Sequence, residues 1–192
     1  MAQQPLGYML LVQLEPLVLN PPIWRRLWVS GDITLRKLHH YLQAAMGWES
    51  CHLHEFSNGV RRWLPPEAEI DLHDDGVDDR KTRLRVVAKQ GDRLRYLYDF
   101  GDSWQHVIAV ESVEPCERGG NWCHLLDGER ACPPEDAGGA EGYLHMLGIL
   151  AGPPGELREQ LLEWLHGEHD AEVFDRRAAN AAVQRMQNNF WG

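Results

Sequence analysis

Arg93-Leu94-Arg95-Tyr96-Leu97-Tyr98-Asp99-Phe100-Gly101-Asp102-Ser103-Trp104-Gln105-His106-Val107-Ile108-Ala109-Val110 is the stretch that decides the fold. Leu94, Tyr96 and Tyr98 alternate with Arg93, Arg95 and Leu97, the period of two that sends successive side chains to opposite faces of a strand. Asp99 to Asp102 reads as a turn, and Trp104–Val113 as a further strand. Just upstream, Leu84, Val86 and Ala88 alternate with Arg83, Arg85 and Lys89 ahead of Gln90-Gly91-Asp92. That pattern predicts a hairpin with one apolar and one basic face.

Towards the N-terminus, Tyr8–Leu14 is a short apolar run, read as a buried strand. Asn20-Pro21-Pro22 breaks it, and Ile23–Val29 resumes an extended pattern. Thr34 then opens a helix with Leu35, Leu38, Leu42 and Ala45/Met46 on one face, closed by Gly47. His52–Phe56 and Val60–Leu64 form a hairpin around Ser57-Asn58-Gly59. Pro65 to Asp79 is a loop with seven acids: Glu67, Glu69, Asp71, Asp74, Asp75, Asp78 and Asp79.

Towards the C-terminus, Glu114–Gly142 is a long Gly/Pro-rich connection. The helices Tyr143–Leu150, Glu156–His166 and Arg176–Gln187 follow, the last capped by Asp175. Strands with one early helix, then helices, argue for an α+β fold with an antiparallel sheet of hairpins and a C-terminal helical segment, in a single domain over residues 1–192.

The totals restrict function. A net charge of −10 repels phosphate on average, which disfavours wholesale nucleic-acid binding. Four cysteines, Cys51, Cys116, Cys123 and Cys132, are too few and too irregular for a disulfide scaffold, so reduced thiols in a cytosol are expected. The run Tyr8 to Leu19 is broken by Gln13, Glu15 and Pro16 and reads as neither signal peptide nor membrane span. A cytoplasmic protein with no membrane partner is the expectation.

Taken together, these runs resemble the plasmid pRiA4b ORF-3-like family. The resemblance is carried by Pro21-Pro22-Ile23-Trp24-Arg25-Arg26, Leu38-His39, Ala45-Met46-Gly47-Trp48 and His52-Leu53-His54-Glu55-Phe56. It continues through Tyr98-Asp99-Phe100-Gly101-Asp102-Ser103-Trp104-Gln105-His106 and Ala131-Cys132-Pro133-Pro134-Glu135-Asp136, ending with Gly138-Gly139, Gly142-Tyr143, Phe174-Asp175 and Asn180. Ala137 departs from the pattern, since members often carry cysteine there. The resemblance implies a setting in plasmids, mobile elements and bacterial chromosomes, without an established activity.

Some look-alikes are credited with transposon-resolvase activity, and this chain lacks the chemistry for it. Ser30 is the only early serine, and no His-x-x-Arg precedes the last tyrosine, Tyr143.

Four constellations are candidates for chemistry. His52-x-His54, at strand spacing, puts two imidazoles on one face, and Asp99, Asp102 and His106 can supply neighbouring groups. Two histidines and a carboxylate can hold a metal with an open position, as a hydrolase-like enzyme requires. The competing reading is that these groups hydrogen-bond one another to fix the turn, with Trp48 and Trp104 packed around them.

Cys116, Cys123, His124 and Cys132 offer zinc ligands without a Cys-x-x-Cys knuckle, so packed free thiols are expected. Arg83, Arg85, Arg93 and Arg95 form a candidate nucleic-acid face, which the acidic loop just before it can instead neutralise. The turn Cys132 to Gly139 is read as rigid, with Glu135 or Asp136 accepting backbone N–H groups.

No nucleophile–base pair or cofactor fingerprint emerges. The sequence therefore reads as a non-enzymatic binding or accessory module for an unidentified protein or nucleic-acid-associated partner. No cofactor is expected, zinc or another divalent cation being the alternative.

Overall fold

The computed structural model describes residues 4–68, 76–167 and 169–188. The strands are β1 (Leu6–Glu15), β2 (Trp24–Ser30), β3 (His54–Ser57), β4 (Arg62–Leu64), β5 (Val77–Asp78), β6 (Arg93–Tyr98), β7 (Trp104–Pro115) and β8 (Cys123–Glu129). The helices are α1 (Leu35–Met46), α2 (Leu84–Val87), α3 (Gly139–Ala151), α4 (Glu156–Trp164) and α5 (Arg176–Asn188). One eight-stranded sheet runs β5-β4-β3-β6-β7-β1-β2-β8, antiparallel except for the short β4–β5 pair. The fold is α+β.

Periodicity builds the centre as expected. On β6, Leu94, Tyr96 and Tyr98 are buried while Arg93 and Arg95 face solvent. They stand opposite Ile108, His106 and Trp104 of β7, so one inner face carries the whole row. Leu10, Val12 and Leu14 of β1 and Leu27 and Val29 of β2 extend it. Apolar burial of this kind supplies the main driving force for folding, at roughly 25 cal/mol per Å².

Helix α1 lies on this inner face with Leu35, Leu38, Leu42 and Ala45 buried. The Thr34 hydroxyl accepts the Lys37 N–H at 3.1 Å, and Gly47 ends the helix in the left-handed region at φ 98°. Glycine carries no steric penalty there.

Two segments depart from the sequence reading. Residues 84–87 form the helical turn α2 and not a hairpin arm. Leu84 and Ala88, one turn apart, are buried, whereas Val86 is 76% exposed. The Leu84 and Arg85 N–H groups go to the carbonyls of Ile33 and Gly31, so this segment packs against the entry to α1.

The connection Glu114–Gly142 contains the edge strand β8 and the first residues of α3, and β7 runs on to Pro115. Cys123 and Leu125 alternate inward, but the β2–β8 register shifts between Arg26 and Leu27, which breaks the pattern before Asp127 and Gly128. Helix α5 shields this edge. The side chains of Asn180 and Gln187 accept the N–H groups of Leu125 and Cys123, and Gln184 donates to the Cys123 carbonyl. Covering an edge in this way removes a template for unwanted pairing.

Candidate functional site

Three connections meet at the end of the sheet where β6 passes into β7: the α1–β3 loop, the β6–β7 turn and the Pro133–Gly138 turn. The backbone of the α1–β3 loop is held almost entirely by side chains. Glu49 N–H donates to Glu135 Oε1 at 2.8 Å, Ser50 N–H to Gln43 Oε1 at 2.9 Å, and Cys51 N–H to the Tyr98 hydroxyl at 3.2 Å. The Trp48 indole N–H donates to the Pro133 carbonyl at 2.9 Å. Tyr98 in turn donates to Glu135 Oε1 at 3.0 Å. Backbone amides outside helices and strands need partners, and here the partners also fix where the residues after Cys51 emerge.

The β6–β7 turn is built by its aspartates. Asp99 adopts φ 55°, a left-handed conformation aspartate tolerates, and its Oδ1 accepts the Gly101 N–H at 2.9 Å. Asp102 Oδ2 accepts the Gly138 N–H at 3.0 Å. That bond draws the two turns together so tightly that a Cβ on Gly139 would lie 2.5 Å from the Asp102 carbonyl oxygen.

The five residues proposed as one cluster separate into different environments. His52 precedes β3 and does not share a strand face with His54. Its Nε2 stands 3.6 Å from Asp99 Oδ2 and 3.2 Å from Asp136 Oδ1, at the surface of the lip. His54 is buried, with its Nε2 2.8 Å from Asp79 Oδ2. Asp102 is spent on Gly138. His106 is buried beneath Trp48 and Tyr96, with its Nδ1 3.3 Å from the Tyr96 carbonyl.

His54 belongs to a deeper network that sequence spacing did not reveal. Arg36 Nε donates to the same Asp79 oxygen at 2.9 Å. Burial works to raise the Asp79 carboxyl, but bonds from His54 and Arg36 outweigh it and hold it below the usual range. Burial lowers the His54 imidazole, so the pair is a neutral histidine donating to a carboxylate that Arg36 balances.

The His39 ring stacks on His54 with centroids 3.6 Å apart and 7° between planes. Gln43 donates to the Tyr96 hydroxyl at 2.9 Å, and Tyr96 lies 2.8 Å from His39 Nδ1. The sequence signal for this network was available: His39, Gln43 and Arg36 share α1 at helical spacing.

The cysteines do not converge. Cys123 is buried, Cys116 half-buried, and the metal-spaced groups among the described residues involve neither of them, nor Cys132. Burial pushes the Cys132 thiol up to about 12 and Cys123 further still.

The proposed basic face also divides. Arg85 bonds Asp32 at 2.7 Å, and Arg83 lies 3.9 Å from the same carboxylate. Arg93 and Arg95 remain solvent-facing on β6 without an ion pair among the described residues. The acidic loop neutralises other cations: Glu67 and Asp79 take Arg36, and Asp78 takes Arg80 and Lys81. Glu69, Asp71, Asp74 and Asp75 lie outside the described residues.

An α+β fold with this ordered set of turns defines the class, and the sequence comparisons place the chain within it. The chain belongs to the plasmid pRiA4b ORF-3-like protein family, whose profile matches residues 7–178. The uncharacterised protein y4hQ of Sinorhizobium fredii (strain NBRC 101917 / NGR234) is 40% identical over 164 residues, 84% of this chain and 80% of that protein. The crystal structure of MM3350, a protein of unknown function from Methanosarcina mazei Go1, superposes with a TM-score of 0.79 at 33% identity. The match covers 92% of this chain and 97% of that one. No helix among the described residues is long and apolar enough to cross a membrane.

Proposed function

We propose that the protein is a binding module whose partner docks on the face formed by α3 and α4. The observation carrying this reading is an apolar groove of about 630 Å³ between the second half of α3 and the start of α4, lined by Leu144, Ile149, Pro153, Pro154 and Leu157 among others. Leu157 is 59% exposed and Trp164, further along α4, 46%. Helix α4 has no fully buried residue, although it carries leucines and a tryptophan. Contiguous exposed apolar surface with a polar rim marks interaction sites on soluble proteins.

Glu156 lines that groove together with Arg158 and His145, and Glu159 and Glu163 stand exposed further along α4, which leaves the helix acidic on balance. A partner presenting an apolar side chain flanked by lysine or arginine fits this surface. The polar groups elsewhere support the same reading, because His54, Asp79, Asp102, Tyr96 and Tyr98 are engaged with neighbouring protein groups. The accessory role beside a mobile-element or host system implied by the family resemblance is the setting we assign to it.

Native mass spectrometry of protein isolated gently from its own host tests the reading. A partner mass is expected with the wild-type chain and is expected to disappear with Leu157→Asp, whose side chain is already at the surface. Equal partner retention by both proteins, or substrate turnover by the purified chain, would overturn it.

A further inference from the structure

We propose that His52, Asp99 and Asp136 form a binding site for one divalent transition-metal cation of the zinc type at the lip of the sheet. This site is separate from the α3–α4 groove, and either assignment can fail without the other. The spacing of the donors is the first argument. His52 Nε2 lies 3.2 Å from Asp136 Oδ1 and 3.6 Å from Asp99 Oδ2, and all three donors fall within 4.8 Å of one another. Nitrogen and oxygen ligands at about 2.0–2.1 Å from a tetrahedral cation are separated by roughly 3.3 Å. The observed separations bracket that edge.

The second argument is an unspent nitrogen. His52 Nε2 is shielded from solvent as an atom and makes no hydrogen bond among the described residues, with two carboxylates within 3.6 Å. Buried polar atoms in folded proteins nearly always have partners, and a bound ion is one of the explanations for an exception. A cation between the nitrogen and the two oxygens would satisfy all three donors.

Hydrogen bonds from the surrounding backbone orient the ligands. Gly101 N–H holds Asp99 by its other oxygen, leaving Oδ2 towards His52. The bonds from Glu49, Ser50 and Cys51 fix the backbone immediately ahead of His52. Three protein ligands leave a fourth position for water or for a ligand atom from a partner. Asp136, 72% exposed at its side chain, would close the site from the solvent side.

The Cys51 thiol and the Glu135 carboxylate form a second triple with the same His52, and Glu135 Oε2 is likewise unpartnered. The two triples share one imidazole, so they compete for a single cation. Glu135 Oε1 serves Glu49 and Tyr98 as Asp99 Oδ1 serves Gly101, so the choice falls to Asp99 and Asp136 on distance, since each has an oxygen at 3.2 or 3.6 Å from His52 Nε2.

The test uses the full chain stripped with a chelator and titrated with Zn2+ by calorimetry and with Co2+ by visible absorption. One cation per chain is expected, with no sulfur-to-metal charge-transfer band. His52→Ala should abolish binding, and Asp99→Asn or Asp136→Asn should weaken it by on the order of tenfold or more. Cys51→Ser should bind as the wild type does. Asp99→Asn risks disturbing the turn, so Asp136→Asn, altered at an exposed side chain, decides the matter if that protein fails to fold. No saturable binding, or undiminished binding by His52→Ala, would overturn the proposal. A charge-transfer band lost in Cys51→Ser would move the cation to Cys51, His52 and Glu135 and overturn the assignment to Asp99 and Asp136.

Discussion

Arg25 is buried in the core and pairs with no carboxylate among the described residues. Its guanidinium donates to four backbone carbonyls: Nε to Ala45 at 2.9 Å, Nη1 to Trp24 at 2.8 Å and Glu129 at 2.9 Å, and Nη2 to Arg130 at 2.9 Å. The plane rests on the Phe174 ring at 3.9 Å. Burial pulls its pKa below the ordinary arginine value, yet a guanidinium starts so far above neutrality that it stays charged. A planar fork can serve this fan of acceptors, whereas an ammonium cannot. Arg25→Lys is therefore expected to lose about 3 kcal/mol or more in urea unfolding, since several buried carbonyls are left unpaired. The next residue, Arg26, points outward to Glu111. Period-two reading places the pair on opposite faces, but nothing in two adjacent arginines announces which one carries the interior.

Helix α1 shows which elements local chemistry can specify. A threonine cap, an apolar stripe and a terminal glycine are sequence signals, and each is realised. Thr34→Ala should cost about 1 kcal/mol in thermal or denaturant unfolding, because the Lys37 N–H loses its acceptor. Segment 84–87 shows the opposite case. Four residues satisfy an alternating pattern and a helical turn almost equally well, since Leu84 and Ala88 lie on one side in both. The choice was made by the carbonyls of Gly31 and Ile33, distant in the fold plan but adjacent in space. Strand β8 was hidden for a related reason. A shift in its register with β2 interrupts the alternation, and the side chains of α5 that stabilise its edge come more than fifty residues later.

Across the molecule, the buried histidines make stability depend on pH. Burial is the leading cause in each case. It takes His40 and His106 from 6.5 to about 4, lowers His54, and lowers His39 well below its ordinary value with further help from His54 and His40. These bases are held neutral when folded, so the unfolded chain binds more protons between the two values. Stability from this source is full above about pH 6.5 and falls as pH drops towards about 4.

For His106, 1% exposed, that window corresponds to a loss of up to about 3 kcal/mol. Urea midpoints recorded from pH 7 to pH 4 should fall steadily, and a flat profile would contradict the burial described. The Asp79 carboxyl, held down by His54 and Arg36, adds its loss only at lower pH, beneath its ordinary value of 3.8.

The amino-acid sequence by itself determined the α+β architecture, the β1, β2, β6 and β7 core, α1 with both of its ends, and α5 with its Asp175 cap. Periodicity and capping are local properties, and the residues of one element suffice to express them. It also marked His52 and Asp99 as neighbours in chemistry. Only the tertiary structure decided that Asp136 joins them, that His54 turns inward to Asp79, and that Arg83 and Arg85 are paired with Asp32. Those partners are 25 to 84 residues apart, and a side chain's partner follows from which turns the sheet brings together. Spacing along the chain carries no record of that.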